Sequence, residues 1–474
     1  MRVGLFGVGL KGESPNVTAE ERVNCFAELQ PTPDRSRIAL YGTPGKTLFT
    51  TFSANPSRGA WAVNTLSTPL FFSLHGTKLI SVDNAGVTTV IGTVASTTGD
   101  VSMVDNGTYL VLVDGARGYY YNMISGGALT LITDGNFTTT PKSVTWQDTY
   151  FIVTSGGSNQ FQLSDNDNPA VWPAVNINFT GSAPGKLQSG IASNSILMLY
   201  GDVYAEFWQN AGFPDFPYAV IPGSAQEFGL GAASSLFKYD NSVAGVFRNR
   251  MGEVNIARMS GFRLERMSNF ELEFILNSYA ATADCKGFGY MLGGHPMAQF
   301  NFPGANRSWL YDAGSRAWTQ LKQNNGDRDK GQLFCNFQNR RIVTDYANGN
   351  IYELDDQVYS DNGDPMPMEV TSRHLWNDDK FISVPQLQID VQSGTGTATG
   401  QGVSPQMMLA ISKDGGHTFV PHPWSSIGAI GEYTQRVIWR RLGRARDWVF
   451  RLRITDPVFR VITGASAEVI GGAF

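Results

Sequence analysis

Seven segments between residues 69 and 354 share one pattern: a β-rich run, a turn containing Gly, Asn or Asp, and a second run rich in aromatic residues. Each segment is a predicted β-hairpin. They span residues 69–82, 108–122, 149–163, 196–208, 242–259, 297–313 and 340–354. Their starts lie about 40 to 55 residues apart, close to the length of one four-stranded propeller blade. The sequence therefore predicts an all-β chain with a six- or seven-bladed β-propeller.

A propeller ring closes when one end of the chain lends a strand to the blade at the other end, which removes exposed strand edges. Residues 37–52, RIALYGTPGKTLFTTF, precede the first hairpin and are the predicted closing strand. Two separate β-sandwiches would also account for the strand content, but not for the regular spacing.

Two regions depart from the hairpin repeat. Ser268 and Glu271 form a predicted capping box, followed by Phe270, Phe274, Ile275 and Tyr279 at helical spacing, which predicts one short inserted helix. After residue 362, five further strand candidates predict a small β-sandwich, here called the platform. The predicted domains are an N-terminal segment packing on the platform (1–45), the propeller (46–362) and the platform (363–474).

Composition limits the classes of function. With 36 Lys and Arg against 41 Asp and Glu, the net charge of -5 argues against a surface that grips nucleic acid throughout. Cys25, Cys285 and Cys335 match no disulfide or metal-binding spacing, so buried free thiols made in a reducing cytoplasm are expected. No run of about 18 apolar residues occurs, so no membrane span is predicted.

Motifs for catalysis or cofactors are weak. Gly45-Lys46-Thr47 resembles the end of a phosphate-binding loop, but Leu40 stands where a Gly is required and strand-forming residues follow. Acidic residues at 165–167 and 325–329 lack the Gly and Glu of a calcium loop. The histidines form no metal-binding pair. We therefore predict no enzymatic activity, no cofactor and no metal site.

The stretch 436–453, RVIWRRLGRARDWVFRLR, holds seven arginines. Pairing Leu442 with Trp448 predicts a hairpin in which Trp439 and Arg451 face outward and stack on each other. Because exposed Trp and Arg are typical of protein interfaces, the stretch is a candidate inter-subunit or adaptor interface. The candidate residues are Trp439, Arg441, Arg444, Arg446, Arg451 and Arg453. Arg436 and Arg440 fall on the core face without an identifiable partner. A solvated basic face and a DNA-binding site remain alternatives.

Several segments, in the same order along the chain, resemble the tail hub or nozzle proteins of short-tailed phages, also called packaged-DNA stabilisation proteins. The matching segments are Arg22–Glu28, Leu40–Gly45, Gly294–Pro296, Phe302–Pro303, Trp309–Asp312 with Trp318, Asp345–Leu354 and Arg436–Arg446. After Pro296 the family tends to carry an aromatic pair, whereas this chain has Met297-Ala298-Gln299.

The resemblance implies a virion structural protein, made in the host bacterial cytoplasm, with a β-propeller and a β-rich platform. It further implies a homo-hexameric ring below the portal and its adaptor, which continues the DNA channel, retains packaged DNA and anchors tail spikes, fibres or a needle. A sialidase-like or other glycan-active propeller is the alternative, because Ser412-KDGGHT-Phe419 is similar to an Asp-box. That turn motif is itself structural and occurs once, outside the repeats.

Overall fold

The computed structural model describes residues 4–30, 37–378 and 380–471. In these residues seven four-stranded antiparallel sheets succeed each other along the chain, and the first strand of each lies beside the first strand of a neighbouring sheet or contacts that sheet. The seventh sheet contacts the first, so the ring is closed. The all-β fold with a propeller is confirmed, and the described part of the ring has seven blades.

Blades 1 to 4 are simple meanders, each starting at its inner strand. Blade 1 has strands Ser57–Val63, Leu70–His75, Lys78–Val82 and Thr88–Thr93. Blade 2 has Ser102–Asp105, Tyr109–Val113, Gly118–Asn122 and Thr130–Leu131. Blade 3 has Pro141–Gln147, Tyr150–Ser155, Gln160–Leu163 and Ile177–Phe179, the last after a 3-10 turn at Ala174–Asn176. Blade 4 has Leu187–Ser193, Ile196–Gly201, Ala205–Asn210 and Tyr218–Val220.

Blade 5 has a divided inner strand, because a 3-10 turn at Ala233–Ser235 interrupts it. Its strands are Gly229–Leu230 with Phe237–Tyr239, then Ser242–Arg248, Val254–Ser260 and Arg263–Arg266. Blade 6 has Lys286–Leu292, His295–Phe302, Arg307–Asp312 and Ala317–Leu321. Blade 7 has Gly331–Phe337, Arg340–Asp345 and Asn350–Asp355. All seven predicted hairpins are confirmed as the two middle strands of a blade.

The fourth strand of blade 7 comes from the N-terminal part of the chain. Gly45–Thr51 pairs antiparallel with Asn350–Asp355, which confirms the predicted closure. A short hairpin, Ser360–Asp361 with Asp364–Pro365, continues this sheet. Gly45 is required by close approach, because a Cβ there would lie 2.4 Å from the carbonyl oxygen of Ser360. The Gly-Lys-Thr motif thus lies within a strand and not in a phosphate-binding loop.

The α-helix Phe270–Asn277 lies between blades 5 and 6, as predicted, but its cap is different. The side chain of Asn269 accepts a hydrogen bond from the backbone N–H of Leu272, whereas Ser268 donates to Glu273. The predicted capping box of Ser268 and Glu271 is therefore wrong by one position. Leu272 and Leu276 form the buried face of the helix, whereas Phe270 is exposed.

The platform is a β-sandwich of two sheets. Platform sheet 1 runs in the order Cys25–Leu29, Ile38–Gly42, Val461–Gly471, Ile382–Val391 and Val437–Arg440, with Arg444–Ala445 also on Ile382–Val391. Platform sheet 2 runs in the order Glu21–Val23, Met368–Thr371, Asp447–Ile454, Gln406–Ser412 and Val420–Pro421. Leu375–Trp376 and Ser425–Ser426 add short pairings to sheet 2. Apolar residues of both sheets form one core.

The N-terminal segment joins the two parts of the molecule. Val23 pairs in parallel with Gln320 of blade 6, and Glu21–Val23 pairs antiparallel with Glu369–Thr371 of the platform. Blade 6 and platform sheet 2 are therefore one continuous sheet. The limits of residues 1–45, 46–362 and 363–474 as separate domains remain a prediction, and residues 1–3, 31–36, 379 and 472–474 lie outside the described residues.

The three cysteines are buried free thiols, as predicted. Burial raises the pKa of both Cys25 and Cys335 to about 12. Such thiols stay protonated and behave as small apolar groups in the core.

Candidate interaction surface on the platform

The arginine-rich stretch 436–453 does not form a hairpin. Val437–Arg440 lies at the edge of platform sheet 1, paired with Ile382–Val391, whereas Asp447–Ile454 lies inside platform sheet 2. After Arg440 the chain turns at Arg441 and Gly443, both with positive φ (59° and 97°). Arg444–Ala445 pairs once more with platform sheet 1, and the chain crosses to platform sheet 2 at Arg446. The connection that resembles a hairpin loop is therefore an arch between facing sheets.

The predicted outward orientation of Trp439 is wrong. Trp439 is 5% exposed and belongs to the sandwich core, and its indole Nε1 donates to the carbonyl oxygen of Pro423 at 2.7 Å. Val437 is also buried, so the two bulky apolar residues face inward. Val437 and Trp439 stand at alternate positions, which indicates that both face the core. The predicted hairpin pairing of Leu442 with Trp448 placed them on the outer face instead.

The second strand alternates between a core face and an outer face. Trp448, Phe450, Leu452 and Ile454 are buried in the core. Val449, on the other face, is buried as well, because the turn at Gly416 packs over this side of the strand.

Arg451 and Arg453 are half-buried and contact other parts of the same chain. The guanidinium of Arg451 lies 3.8 Å from the ring centre of Phe419, so the predicted stacking on Trp439 is wrong. Arg453 donates to Asn324 at 2.8 Å and lies 3.5 Å from a carboxylate oxygen of Glu369. Because Asn324 follows blade 6, Arg453 helps to fasten the platform to the propeller.

Five exposed arginines lie along the edge of platform sheet 1 and the arch that follows it, and we call them the arginine ridge: Arg436, Arg440, Arg441, Arg444 and Arg446. Arg436 donates to Gln388 at 2.7 Å and Arg440 to Gln386 at 3.3 Å, so the prediction that they share the core face is wrong. Arg444 and Arg446 both lie over the ring of Phe381, at 4.2 and 4.7 Å.

These contacts orient the ridge. The amide oxygens that hold Arg436 and Arg440 carry no charge, and Arg444 and Arg446 lie over the apolar ring of Phe381. Segment 436–453 contains seven arginines and one acidic residue, Asp447. Its side chains therefore sum to +6 in a chain of net charge -5, so the ridge is a local basic surface on an acidic protein.

The Asp-box turn lies beside this surface and has a structural role. Asp414 accepts hydrogen bonds from the backbone N–H and the hydroxyl of Thr418, at 2.9 and 2.6 Å, and from Ser412 at 2.6 Å. These hydrogen bonds, led by those of Ser412 and Thr418, hold the pKa of Asp414 well below its usual range. Its carboxylate is used within its own turn.

A groove of about 560 Å³ separates this region from the N-terminal segment. Across it, His374 places Nδ1 2.7 Å from Asp447 and Nε2 2.8 Å from the carbonyl oxygen of Pro15. His417 contacts Asn16 at 3.2 Å. Both histidines therefore fasten residues 15–16 to the platform.

Two buried arginines at the joint between propeller and platform have no recognisable signal in the sequence. Arg22 donates to the carbonyl oxygens of Gly7 (2.7 Å), Val8 (3.1 Å) and Trp318 (2.8 Å). Arg460 donates to Met366 at 2.5 Å, and burial lowers its pKa to about 10. The segment Arg22–Glu28, which carried part of the family resemblance, is this joint.

Within the described part of the chain, no group of three or more His, Cys, Asp or Glu side chains is arranged to hold a metal ion. The described helix is also too short and too polar to cross a membrane.

Comparisons with known folds give distant likenesses. The WD40 β-propeller domain of Doa1 aligns with 65% of this chain and 96% of its own, at 12% identity and a TM-score of 0.42. The extracellular domain of a putative hybrid two component system, BT4673 from B. thetaiotaomicron, aligns with 77% of this chain and 45% of its own, at 9% identity and a TM-score of 0.45. These scores carry no functional argument. No curated protein sequence matches the chain.

Two family models match in chain order. The model described as bacteriophage P22 Gp10, β-propeller, covers residues 5–359, and the model described as bacteriophage P22 Gp10, β-sandwich, covers residues 367–470. The first model contains the seven blades together with the N-terminal strands of the platform, and the second contains the rest of the platform. The chain is thus a structural phage tail protein of the virion and belongs to the P22 Gp10 family of tail hub or nozzle proteins of short-tailed phages.

Proposed function

We propose that this protein is the hub of a phage tail. In this proposal six copies form a ring below the portal and its adaptor, continue the DNA channel, retain packaged DNA until ejection, and anchor spikes, fibres or a needle. The observation that supports it is the match of two Gp10 family models to both the propeller and the platform.

We further propose that the platform, through the arginine ridge, makes inter-subunit or adaptor contacts. Arg441, Arg444 and Arg446 are exposed, and two of them are held over Phe381, so less conformational entropy is lost when they bind a partner. Arginine is enriched in protein interfaces because its planar group forms several directed hydrogen bonds. Arg451, Arg453 and the buried Trp439 contribute by fixing the strands on either side of the arch that carries the ridge.

The competing role for these arginines is to protect an exposed sheet edge from pairing with other chains. Val437–Arg440 is an edge strand, and charged residues on an edge prevent pairing with other chains. The two roles differ in their consequences: a guarding residue affects aggregation, whereas an interface residue affects docking.

The proposed conduit role agrees with the charge of the chain. DNA must slide through the ring at ejection, and each phosphate contact with Lys or Arg would hold it more tightly. A net charge of -5 favours a channel of weak affinity.

The glycan-active alternative rests on the Asp-box alone, and its carboxylate is used within the turn. Hydrolysis of sialylated or cell-wall glycans by the pure protein would revive this alternative.

The hub proposal is tested by native mass spectrometry and electron microscopy of the protein with and without its adaptor. Six copies per ring are expected, and a monomer inside assembled tails would refute the ring. The double variant Arg444→Ala/Arg446→Ala should lose adaptor or ring docking while keeping the native melting temperature. Arg117→Ala/Arg263→Ala, at two exposed propeller positions, is the matched control. If both double variants assemble equally well, the ridge is not an interface.

A further inference from the structure

A cavity of about 520 Å³ lies on the axis of the propeller and is lined by residues of all seven blades. This volume falls within the range of about 300 to 1,000 Å³ that is usual for sites that bind small molecules. Nothing in the proposed hub role uses this cavity, because DNA would pass through the ring of subunits. A ligand in this cavity would therefore not depend on the hub role.

Hydrogen bonds across the axis narrow one end of the cavity. Asp100, which precedes the inner strand of blade 2, lies 2.6 Å from Lys286 of blade 6 and accepts a hydrogen bond from Ser234 of blade 5 at 2.5 Å. In a seven-membered ring these blades lie on opposite sides of the axis. The cavity is therefore partly closed where the inner strands of blades 2 and 6 begin.

The wall next to blade 2 is aromatic. Trp61 of blade 1 and Trp146 of blade 3 both line the cavity and pack against the apolar cluster that contains Val104. The Nε1 of Trp61 donates to Asp105 at 2.7 Å. The Nε1 of Trp146 is buried and has no hydrogen-bond partner among the described residues. Two indole rings thus offer flat apolar surface inside an otherwise mixed lining.

The charges in the lining are unbalanced. Arg58, Lys142, Lys238 and Lys286 face two carboxylates, Asp100 and Asp105. This lining carries a net charge of +2 in a protein of net charge -5. A concave surface with an excess of one sign concentrates small ions of the opposite sign.

Two of these cations form no ion pair with a carboxylate among the described residues, although Asp202 lies near enough to attract Lys142 weakly. Lys142 donates to the neutral amide oxygen of Gln188 at 2.6 Å. Lys238 makes no hydrogen bond or ion pair within the described chain. Burial lowers the pKa of Lys142, and partial desolvation does the same for the more exposed Lys238. A bound anion would restore the interactions that these ammonium groups lose when they leave water.

Arg58 and Lys286 are, by contrast, already satisfied. The Arg58 guanidinium donates to the backbone carbonyl oxygens of Gly76, Ser96, Thr98 and Gly99 and to the Ser96 hydroxyl. Lys286 has Asp100. Lys142 and Lys238 are thus the two cations left to attract a ligand.

We propose that the axial cavity of the propeller binds a small organic anion with one flat ring, its carboxylate or phosphate attracted by Lys142 and Lys238 and its ring against Trp61 and Trp146. Aromatic stacking and charge together select this class over neutral rings and over inorganic anions.

The test is isothermal titration of the full-length protein with four probes, supported by ligand-observed NMR. Adenosine monophosphate carries a ring and a phosphate, and benzoate carries a ring and a carboxylate. Adenosine lacks the charge, and inorganic phosphate lacks the ring. Saturable binding of either ring-bearing anion, with a Kd below about 1 mM, is expected, and which of the two binds more tightly identifies the anionic group. Neither binding, or adenosine binding as tightly as its monophosphate, would overturn the proposal.

Variants locate the site. Lys142→Met and Lys238→Met should each weaken binding at least about tenfold, the effect of losing one favourable charge contact. Lys142→Arg should retain most of the affinity, and this charge-conserving variant separates loss of the cation from loss of the fold. Lys78→Met, at an exposed position on the third strand of blade 1, should bind like the natural chain. Equal affinity in all four variants would show that the anion binds elsewhere, which also overturns the proposal.

Discussion

The ammonium group of Lys46 lies 2.5 Å from the carboxylate of Asp329, although 283 positions separate the two residues. Asp361 lies 3.4 Å from the same ammonium, and all three side chains are buried or nearly so. Burial alone would lower the pKa of Lys46, but the two carboxylates outweigh it and raise that pKa. This cluster fixes the closing strand of the propeller to blade 7.

Replacing Lys46 tests the cluster. Lys46→Met leaves two buried carboxylates without their shared cation, and we expect the free energy of unfolding to fall by about 3 to 5 kcal/mol. Urea denaturation followed by circular dichroism measures the change. Lys78→Met removes an exposed lysine from a blade 1 strand and should stay within about 0.5 kcal/mol. A similar small effect for Lys46→Met would mean that the cluster does not stabilise the closure.

Substitutions at two glycines distinguish a crowded position from an open one. Gly45→Ala brings a methyl group to 2.4 Å from the carbonyl oxygen of Ser360, and we expect it to cost about 1 to 3 kcal/mol of stability. A Cβ added at Gly135 would have no atom within 4 Å, so Gly135→Ala should be neutral or slightly stabilising. The two melting temperatures, measured side by side, decide the matter. Equal shifts would contradict close packing at Gly45.

Arg22 should be essential to the joint between propeller and platform. Arg22→Met removes the donor for the carbonyl oxygens of Gly7, Val8 and Trp318. Each buried carbonyl group left without a hydrogen bond costs about 1 to 3 kcal/mol of stability. We expect lower stability and faster proteolytic cleavage before residue 20, detected by mass spectrometry. Arg117→Met, at an exposed turn, is the control. Unchanged cleavage in Arg22→Met would show that other contacts hold the N-terminal segment.

Trp439 is part of the platform core. Trp439→Ala should lower the free energy of unfolding by about 3 to 5 kcal/mol through loss of buried area and a cavity. Arg440→Ala, one residue further along the same strand, should change it by less than about 1 kcal/mol. Thermal denaturation of the isolated protein measures both. A stable Trp439→Ala protein would contradict the inward orientation.

Asp414 should make stability depend on pH in the acid range. The pKa of its carboxyl is held below the ordinary value of 3.8, so the charged form is favoured in the folded protein. Its contribution is therefore present above about pH 4 and is lost as the pH falls through the folded value. Asp414→Asn should melt at a lower temperature than the natural chain at about pH 6, and this difference should shrink towards about pH 2. A difference that stays constant with pH would refute the assignment.

The local elements of this fold and the closure of the propeller ring were predictable, but the strand pairings between propeller and platform were not. Each blade hairpin joins two strands through a short turn, so alternation and turn residues define it. The strand pairing of Val23 with Gln320 joins positions about 300 residues apart, and no local pattern specifies it. Val461–Gly471, a strand of 11 residues, was not predicted, because its small residues hide the apolar alternation.

The error at residues 436–453 has a similar cause. A short connection between two amphipathic strands fits both a hairpin within one sheet and an arch between two sheets. In a hairpin Trp439 and Trp448 would lie on the same sheet, whereas in the arch they enter one core from opposite sides. Side-chain period alone does not separate these cases, and the positive φ of Arg441, a residue that rarely adopts it, gave no sequence signal.

The continuous sheet from blade 6 to the platform has a mechanical consequence. Force applied to the platform reaches the propeller through Glu21–Val23, which pairs along its length with Glu369–Thr371 and, at Val23, with Gln320 of blade 6. A flexible tether would absorb such a load, whereas a shared ladder transmits it. The propeller and the platform should therefore tilt together as one stiff lever when a neighbour in the tail pushes on either.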